Sequence, residues 1–300
     1  KKDEAKVNFN ELLQRESDYK IPATYYYSHI AYEEGKYQTA LVGFKEIANS
    51  KMFKSIIPYY ITQILYQQHK YNDLIAYAPN YIDSVIEKRK GEFAKLIGDS
   101  YYKSQDYKSA LDYYKIFKKH AKANRESNYQ VAFSYYKLKQ YEKAVSLFSR
   151  VVYRKDILSQ TSYYHMADAY LKLDEKDYAR NAFHEASKLE FDQDIKRNSL
   201  FNYAKLAFEL SYNPYDEAIN AFHEFIDTYP NTDDAKEAYE FLLKVYLTTK
   251  NYDDALTSLE KIKDKDPRMQ SAYQIIVFNR AVEQFHNRDY EDAVGSFELV

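Results

Sequence analysis

The chain has 300 residues with 43 basic and 45 acidic side chains, a formal net charge of −2. That balance offers no broad field to draw nucleic acid or an anionic membrane, and the absence of cysteine excludes disulfides and thiolate metal sites. Only 5 Gly and 6 Pro predict an almost entirely helical chain, while 35 Tyr and 17 Phe without Trp call for packing or contact, because tyrosine is not a strong helix former.

No stretch of about 18 consecutive apolar residues and no signal-peptide pattern occurs, so no helical membrane span is predicted. At this length a single compact core is exceeded, which favours either two domains or an extended array. Self-similarity decides for the array. YQTALVGF begins at Tyr37, YKSALDYY at Tyr107, YEKAVSLF at Tyr141, YDEAINAF at Tyr215, YDDALTSL at Tyr252 and YEDAVGSF at Tyr290.

The small residue of this motif recurs as Ala5, Ala40, Leu74, Ala110, Ala144, Ala179, Ala218, Ala255 and Ala293, spaced by 34 to 39 residues. A period of this size is that of a solenoid. Twelve residues before each marker there is usually a second small residue: Ser28, Thr62, Gly98, Ala132, Ala167 and Ala281. A turn such as KSQDY or HNRDY separates the two, so each unit reads as a helix A and a helix B crossing closely at their small residues. In helix B the marker and the residues four and seven later, such as Ala110, Tyr114 and Phe117, share one face.

In chain order, residues 1–19 read as helix B of a leading unit. Eight units follow, at 21–54, 55–90, 91–124, 125–159, 160–196, 197–235, 236–273 and 274–300, as one continuous array. Because both ends fall inside the motif, the chain is expected to be cut from a longer array. Its end faces around Phe9 and Phe297 then either stay monomeric or pair between molecules. Two irregularities stand out. Leu74 replaces the marker alanine and Pro79 falls where helix B of that unit should run, so a broken or shortened helix is predicted near 77–80. SYNPYDEA lengthens the turn before Ala218.

LIGDSYYKSQDYKSALDYYKIF from Leu96 and AYLKLDEKDYARNAFHEA from Ala169 resemble the tetratricopeptide repeat, and Pro230 and Pro267 match the proline found between repeats of that family. The resemblance covers essentially the whole chain. It implies an all-α, right-handed α-α superhelix whose concave surface is lined by the A helices, and a non-catalytic scaffold that docks a protein or peptide. The longer repeats of the last third also resemble modules of bacterial cell-envelope and outer-membrane assembly lipoproteins, from which a periplasmic or envelope location is expected. The alternative from a different class is a regulatory or spacer array of a larger enzyme or transporter-associated protein.

Transferring the family's concave positions gives Tyr25, His29 and Tyr32 in the first full unit, then Tyr59, Gln63 and Tyr66. Lys95, Asp99 and Tyr102 follow, then Tyr129, Phe133 and Tyr136, and finally Tyr164 and Asp168. Most are aromatic, and a tyrosine offers large contact area, few rotors and a hydroxyl that pairs with a peptide backbone. Each ring taken singly could instead be superhelix core. Some members of the family capture a chaperone's terminal carboxylate with a Lys and Asn clamp. Here Lys95 is joined by Asp99, which would repel such a carboxylate, so that mode is not expected.

No catalytic constellation is read. The FHE segments at His184-Glu185 and His223-Glu224 carry half of a zinc-protease motif, but Lys188 and Asp227 stand where the second histidine is needed. Both histidines are expected on the outer face of helix B. There is no glycine-rich phosphate loop. No cofactor, no metal and no nucleic-acid partner are therefore expected.

Overall fold

The computed structural model describes residues 2–210, 217–230, 232–248, 251–260 and 267–300. Among them the chain is all-α, seventeen α-helices with no strand. Its contacts divide it into two compact units, Lys1–Val151 and Val152–Val300. The first holds α1 (Lys2–Leu13), α2 (Lys20–Glu33), α3 (Tyr37–Glu46), α4 (Ile57–Gln67), α5 (Tyr71–Tyr77), α6 (Glu87–Lys103), α7 (Tyr107–His120), α8 (Arg125–Lys137) and α9 (Tyr141–Phe148). The second holds α10 (Ile157–Lys172), α11 (Lys176–Ser187), α12 (Gln193–Leu210), α13 (Glu217–Thr228), α14 (Asp233–Thr248), α15 (Tyr252–Glu260), α16 (Pro267–His286) and α17 (Tyr290–Glu298). From α2 onward, even-numbered helices are the A helices and odd-numbered ones the B helices. Residues 211–216, which hold the lengthened turn and Tyr215, lie outside the described residues.

Among the described residues, six turns from A to B are built the same way. Gly35, His69, Gln105, Lys139, Asp174 and Arg288 all have positive φ, between 57° and 74°, and each stands five residues before its marker. This left-handed residue lets the next amide reach back to a carbonyl inside helix A. Lys36 N–H bonds Ala31 O at 2.8 Å, Asp106 N–H bonds Tyr101 O at 3.0 Å and Gln140 N–H bonds Tyr135 O at 2.9 Å. Those bonds satisfy carbonyls that a helix end otherwise leaves open. Only one of the six is a glycine, so the others hold a conformation that disfavours a side chain by about 1 kcal/mol.

The markers then do what their size suggests. Ala40, Leu74, Ala110, Ala144, Ala179, Ala218 and Ala255 have no exposed surface, and Ser28, Thr62, Ala132, Ala167 and Ala281 are equally enclosed where the helices cross. Gly98 shows how tight the crossing is, since a Cβ there would lie 3.0 Å from the Tyr114 ring. Large side chains fill the next layer of helix B: Phe44, Tyr114, Phe148, Phe183 and Phe222. At Pro79 the expected break appears. Helix α5 stops at Tyr77 and a 3-10 turn, Ala78–Tyr81, takes over with the proline in its first turn, where no backbone donor is required. Pro267 likewise opens α16.

One device was not legible in the periodicity. The residue seven before the small residue of helix A touches the chain that leaves helix B of the same unit. Gly91 leaves room there, a Cβ coming within 2.9 Å of Ala121. Arg125, at the equivalent place, donates from Nε to Val151 O at 2.6 Å. Gln160, fully buried, donates from Nε2 to Leu189 O at 2.6 Å and Asp192 O at 3.0 Å, and accepts from Asp192 N–H at 2.7 Å. Each bond ties a loop to its own helix pair, which is how a unit with few turn residues fixes the entry of the next helix.

Candidate peptide-binding face

The A helices of the first unit, α2, α4, α6 and α8, bring most of the expected residues into two linked groups of one layer. His29 Nε2 and the Tyr60 hydroxyl are 3.1 Å apart, and the Tyr32 hydroxyl donates to Gln63 Oε1 at 2.5 Å. Gln63 then donates to the Tyr59 hydroxyl at 2.6 Å and to Glu92 Oε1 at 3.1 Å. Arg89 covers the Tyr59 ring at 4.8 Å while reaching Glu92 at 3.2 Å. Three helices are thus linked by side chains alone. Further along, Tyr102 packs edge-on to Phe133 at 5.9 Å, and Phe133 meets Tyr129 and Tyr136 at 6.0 and 5.9 Å.

A second row of tyrosines props up the first. Tyr32 meets Tyr37, Tyr66 meets Tyr71, Tyr102 meets Tyr107 and Tyr136 meets Tyr141, with ring centroids 5.6 to 6.0 Å apart. The left-handed turn brings residues five apart together, so the tyrosine that opens helix B supports the aromatic that closes helix A. Such pairs contribute about 0.5–1.5 kcal/mol beyond the area they cover. This is why the motif begins with tyrosine in so many units.

The hydroxyls fall into two groups. Tyr114 donates to Asp99 Oδ1 at 2.8 Å, and Lys95 holds the other carboxylate oxygen at 2.5 Å. Burial, and then Asp99, raise the Tyr114 hydroxyl far above its ordinary value. Tyr66, Tyr102 and Tyr129 differ, because their hydroxyls bond no protein group among the described residues and yet are not enclosed. Burial of the ring, with Asp99 next, pushes Tyr66 up to about 12, and burial, with Tyr107 next, does the same for Tyr129. Burial also raises Tyr102, which faces Tyr129, Tyr107 and Asp99. These are half-desolvated phenols that keep their protons and have a donor to offer.

Three of the expected contact residues stand elsewhere. Tyr59 and Asp99 are each 2% exposed and Tyr25 is 8% exposed. Tyr25 is covered by Phe53, stacked on it at 4.2 Å from the segment between α3 and α4. Tyr59 is roofed by Arg89 and Gln63. These three position the layer from beneath and present little of themselves. Asp99 engages Lys95, so neither is free for a terminal carboxylate. Tyr164 and Asp168 lie on α10 in the second unit, partly exposed, with Tyr164 edge-on to Phe183 at 6.0 Å.

The two histidines expected on the outer face of helix B turn inward instead. His184 stacks on Tyr203 at 4.2 Å, nearly parallel at 3°, and burial lowers its pKa below 6.5. His223 lies 2.9 Å from the Tyr246 hydroxyl. Each binds its B helix to the following A helix. Among the described residues no group of three or more His, Cys, Asp or Glu is placed to hold a metal ion, and no helix is long and apolar enough to cross a membrane. Sequence reasoning missed Tyr60, Arg89 and Glu92 as parts of the layer. Tyr60 adjoins an expected contact residue, but Arg89 and Glu92 sit outside the transferred positions and carry no periodic signal.

Two family models, both described as tetratricopeptide repeat, match residues 213–270 and 126–154. A solved structure of the C-terminal part of a TPR repeat-containing protein from Cytophaga hutchinsonii superposes with a TM-score of 0.53 at 15% identity, covering 83% of this chain and 98% of its own. YrrB, described as a TPR protein with an unusual peptide-binding site, superposes with a TM-score of 0.51 at 15% identity, covering 66% of this chain and 97% of its own. No curated protein matches. The chain therefore carries tetratricopeptide repeats, and its fold is that of a tetratricopeptide-type solenoid.

Proposed function

We propose that this protein is a non-catalytic scaffold that docks an extended peptide segment of a partner protein on the A-helix face of its first unit. The observation that carries this reading is the set of hydroxyls on Tyr66, Tyr102 and Tyr129, half-desolvated and without protein partners among the described residues. A phenol in that state gains more from a peptide carbonyl than one exposed to water, because its hydration is already reduced. The flanking rings supply contact area already ordered by the second row of tyrosines, so little rotamer freedom is lost on binding. Arg89 and Glu92, each with more than two fifths of its side chain exposed, frame one side with both signs of charge. YrrB, described as having a peptide-binding site, supports the reading by analogy of fold. A place in a bacterial envelope assembly belongs to the same proposal; it rests on the resemblance of the long later repeats, and cell fractionation tests it.

The test is a selection of peptides from a random displayed library against the full chain. Each selected peptide is then titrated against a variant carrying Tyr66→Phe, Tyr102→Phe and Tyr129→Phe together. Selected peptides are expected to bind the triple variant at least about tenfold more weakly, the loss of about 1.4 kcal/mol. Equal binding to both proteins, or a library that yields no binder, would overturn the reading.

A further inference from the structure

Most cations on the surface of the second unit have a carboxylate within reach: Lys176 with Glu209, Arg197 with Asp194, Lys205 with Glu237 and Arg280 with Asp253. Among the described residues Lys172 and Arg288 stand singly without such a partner, and one place gathers two unpaired cations side by side. The segment Val152–Lys155, the flank of α10 at Tyr163 and the end of α11 at Glu185, Lys188 and Leu189 enclose a cavity of 340 Å³. Arg154 and Lys155 make no ion pair among the described residues. Among the described residues the only carboxylate lining the cavity, Glu185, is already held by Lys188 at 2.7 Å. Three cations thus converge on a recess that contains one engaged anion, in a chain whose total charge is close to neutral.

The recess is also shaped. The Tyr163 hydroxyl bonds Val152 O at 3.4 Å and fixes the start of the segment. Asp156, capping α10 through the Ser159 amide at 2.9 Å, fixes its end. Between these anchors the Arg154 guanidinium lies 5.6 Å from the Tyr153 ring, and that ring is 65% exposed. A guanidinium held over an aromatic keeps its N–H edge turned outward, and this edge matches two oxygens of one anion. Ile157, 48% exposed at the first turn of α10, adds an apolar neighbour.

We propose that this cavity binds an oxyanion, carboxylate or phosphoryl, borne on a peptide segment of a partner protein, with Arg154 and Lys155 as the principal contacts. Tyr153 and Ile157 receive an apolar residue beside it. A surplus of cations with a forked donor and a compact ammonium is the chemistry used to recognise acidic and phosphorylated segments. The site lies on the segment between helix pairs, the flank of α10 at Tyr163 and the end of a B helix; it shares no residue with the A-helix face of the first unit and does not depend on the function proposed above.

The test uses the full chain and three fluorescent pools of degenerate nonapeptides that differ only in a fixed central residue: glutamate, phosphoserine or glutamine. Binding is followed by anisotropy, with inorganic phosphate as competitor. The glutamate or the phosphoserine pool is expected to bind at least about tenfold more tightly than the glutamine pool. That preference should vanish in the Arg154→Gln, Lys155→Gln double variant, whose melting temperature should match the parent because both side chains are exposed. The tighter of the two anionic pools names the oxyanion, and inorganic phosphate is expected to displace it only at far higher concentration. Equal binding of all three pools, an unchanged preference in the double variant, or inorganic phosphate competing as tightly as the peptides would overturn the proposal.

Discussion

Removing one oxygen from each of three tyrosines separates a structural hydroxyl from two that the proposed function reserves for a ligand. In Tyr114→Phe the lost group is a donor 2.8 Å from Asp99, a carboxylate 2% exposed. Hydrogen bonds to charged groups contribute about 1.5–3 kcal/mol. Lys95 still holds the other oxygen at 2.5 Å, which keeps Asp99 partly satisfied. The expected cost is therefore about 2 kcal/mol, or about 4–8 °C in melting temperature for a unit of this size. Tyr66→Phe and Tyr102→Phe delete hydroxyls with no protein partner among the described residues and keep their rings in place, so each should stay within about 0.5 kcal/mol of the parent. Against a selected peptide the order reverses: each of these two should weaken binding by about 1 kcal/mol, roughly fivefold, and Tyr114→Phe should act only through stability. Urea titration by far-UV dichroism reads the first quantity and calorimetry the second. If Tyr66→Phe or Tyr102→Phe unfolds as early as Tyr114→Phe, the two hydroxyls are bonded within the protein, and the argument for a contact face fails.

Gln160→Leu keeps the side-chain volume but strands the Leu189 and Asp192 carbonyls and the Asp192 amide, and should cost about 3 kcal/mol in the urea midpoint of the second unit; a cost under about 1 kcal/mol would mean that solvent reaches those groups. His184, lowered by burial and then by Lys188 and otherwise faced by Glu185, Glu217 and Glu224, is held neutral against Tyr203. Its contribution is present above the ordinary pKa of 6.5 and is lost as pH falls through its lower folded value. His184→Phe should keep the stack and lose less stability than the parent between pH 7.5 and pH 5; parallel declines would count against the burial. Gln105→Gly relieves a left-handed residue with φ of 63° and should raise stability by about 0.5 kcal/mol once the added freedom of the unfolded chain is deducted. Gly35→Ala, at φ of 74°, should move the opposite way, and a loss at Gln105→Gly would show that its side chain matters more than its backbone.

The sequence by itself determined the helix pairs, because a small residue at a fixed period lets two helices cross closely, and Ala40, Ala110 and Ala144 are enclosed as that requires. It determined the break at Pro79, because a ring without a backbone donor cannot continue helix B. It also determined the aromatic stripe, since a repeat carries the same position to the same side of every A helix. Only tertiary structure decided how deep each ring sits. Helical spacing assigns a side chain to a face, but exposure on that face is set by what neighbouring segments lay over it. Phe53 arrives from an irregular stretch to cover Tyr25, and Arg89 reaches from α6 to roof Tyr59. His184 and His223 show the same limit from the other side: they were assigned to an outer surface that the next A helix occupies. The cations at Arg154 and Lys155, unpaired among the described residues, were invisible for a related reason, because charge along a chain is counted residue by residue, whereas pairing depends on which carboxylates the fold brings within reach.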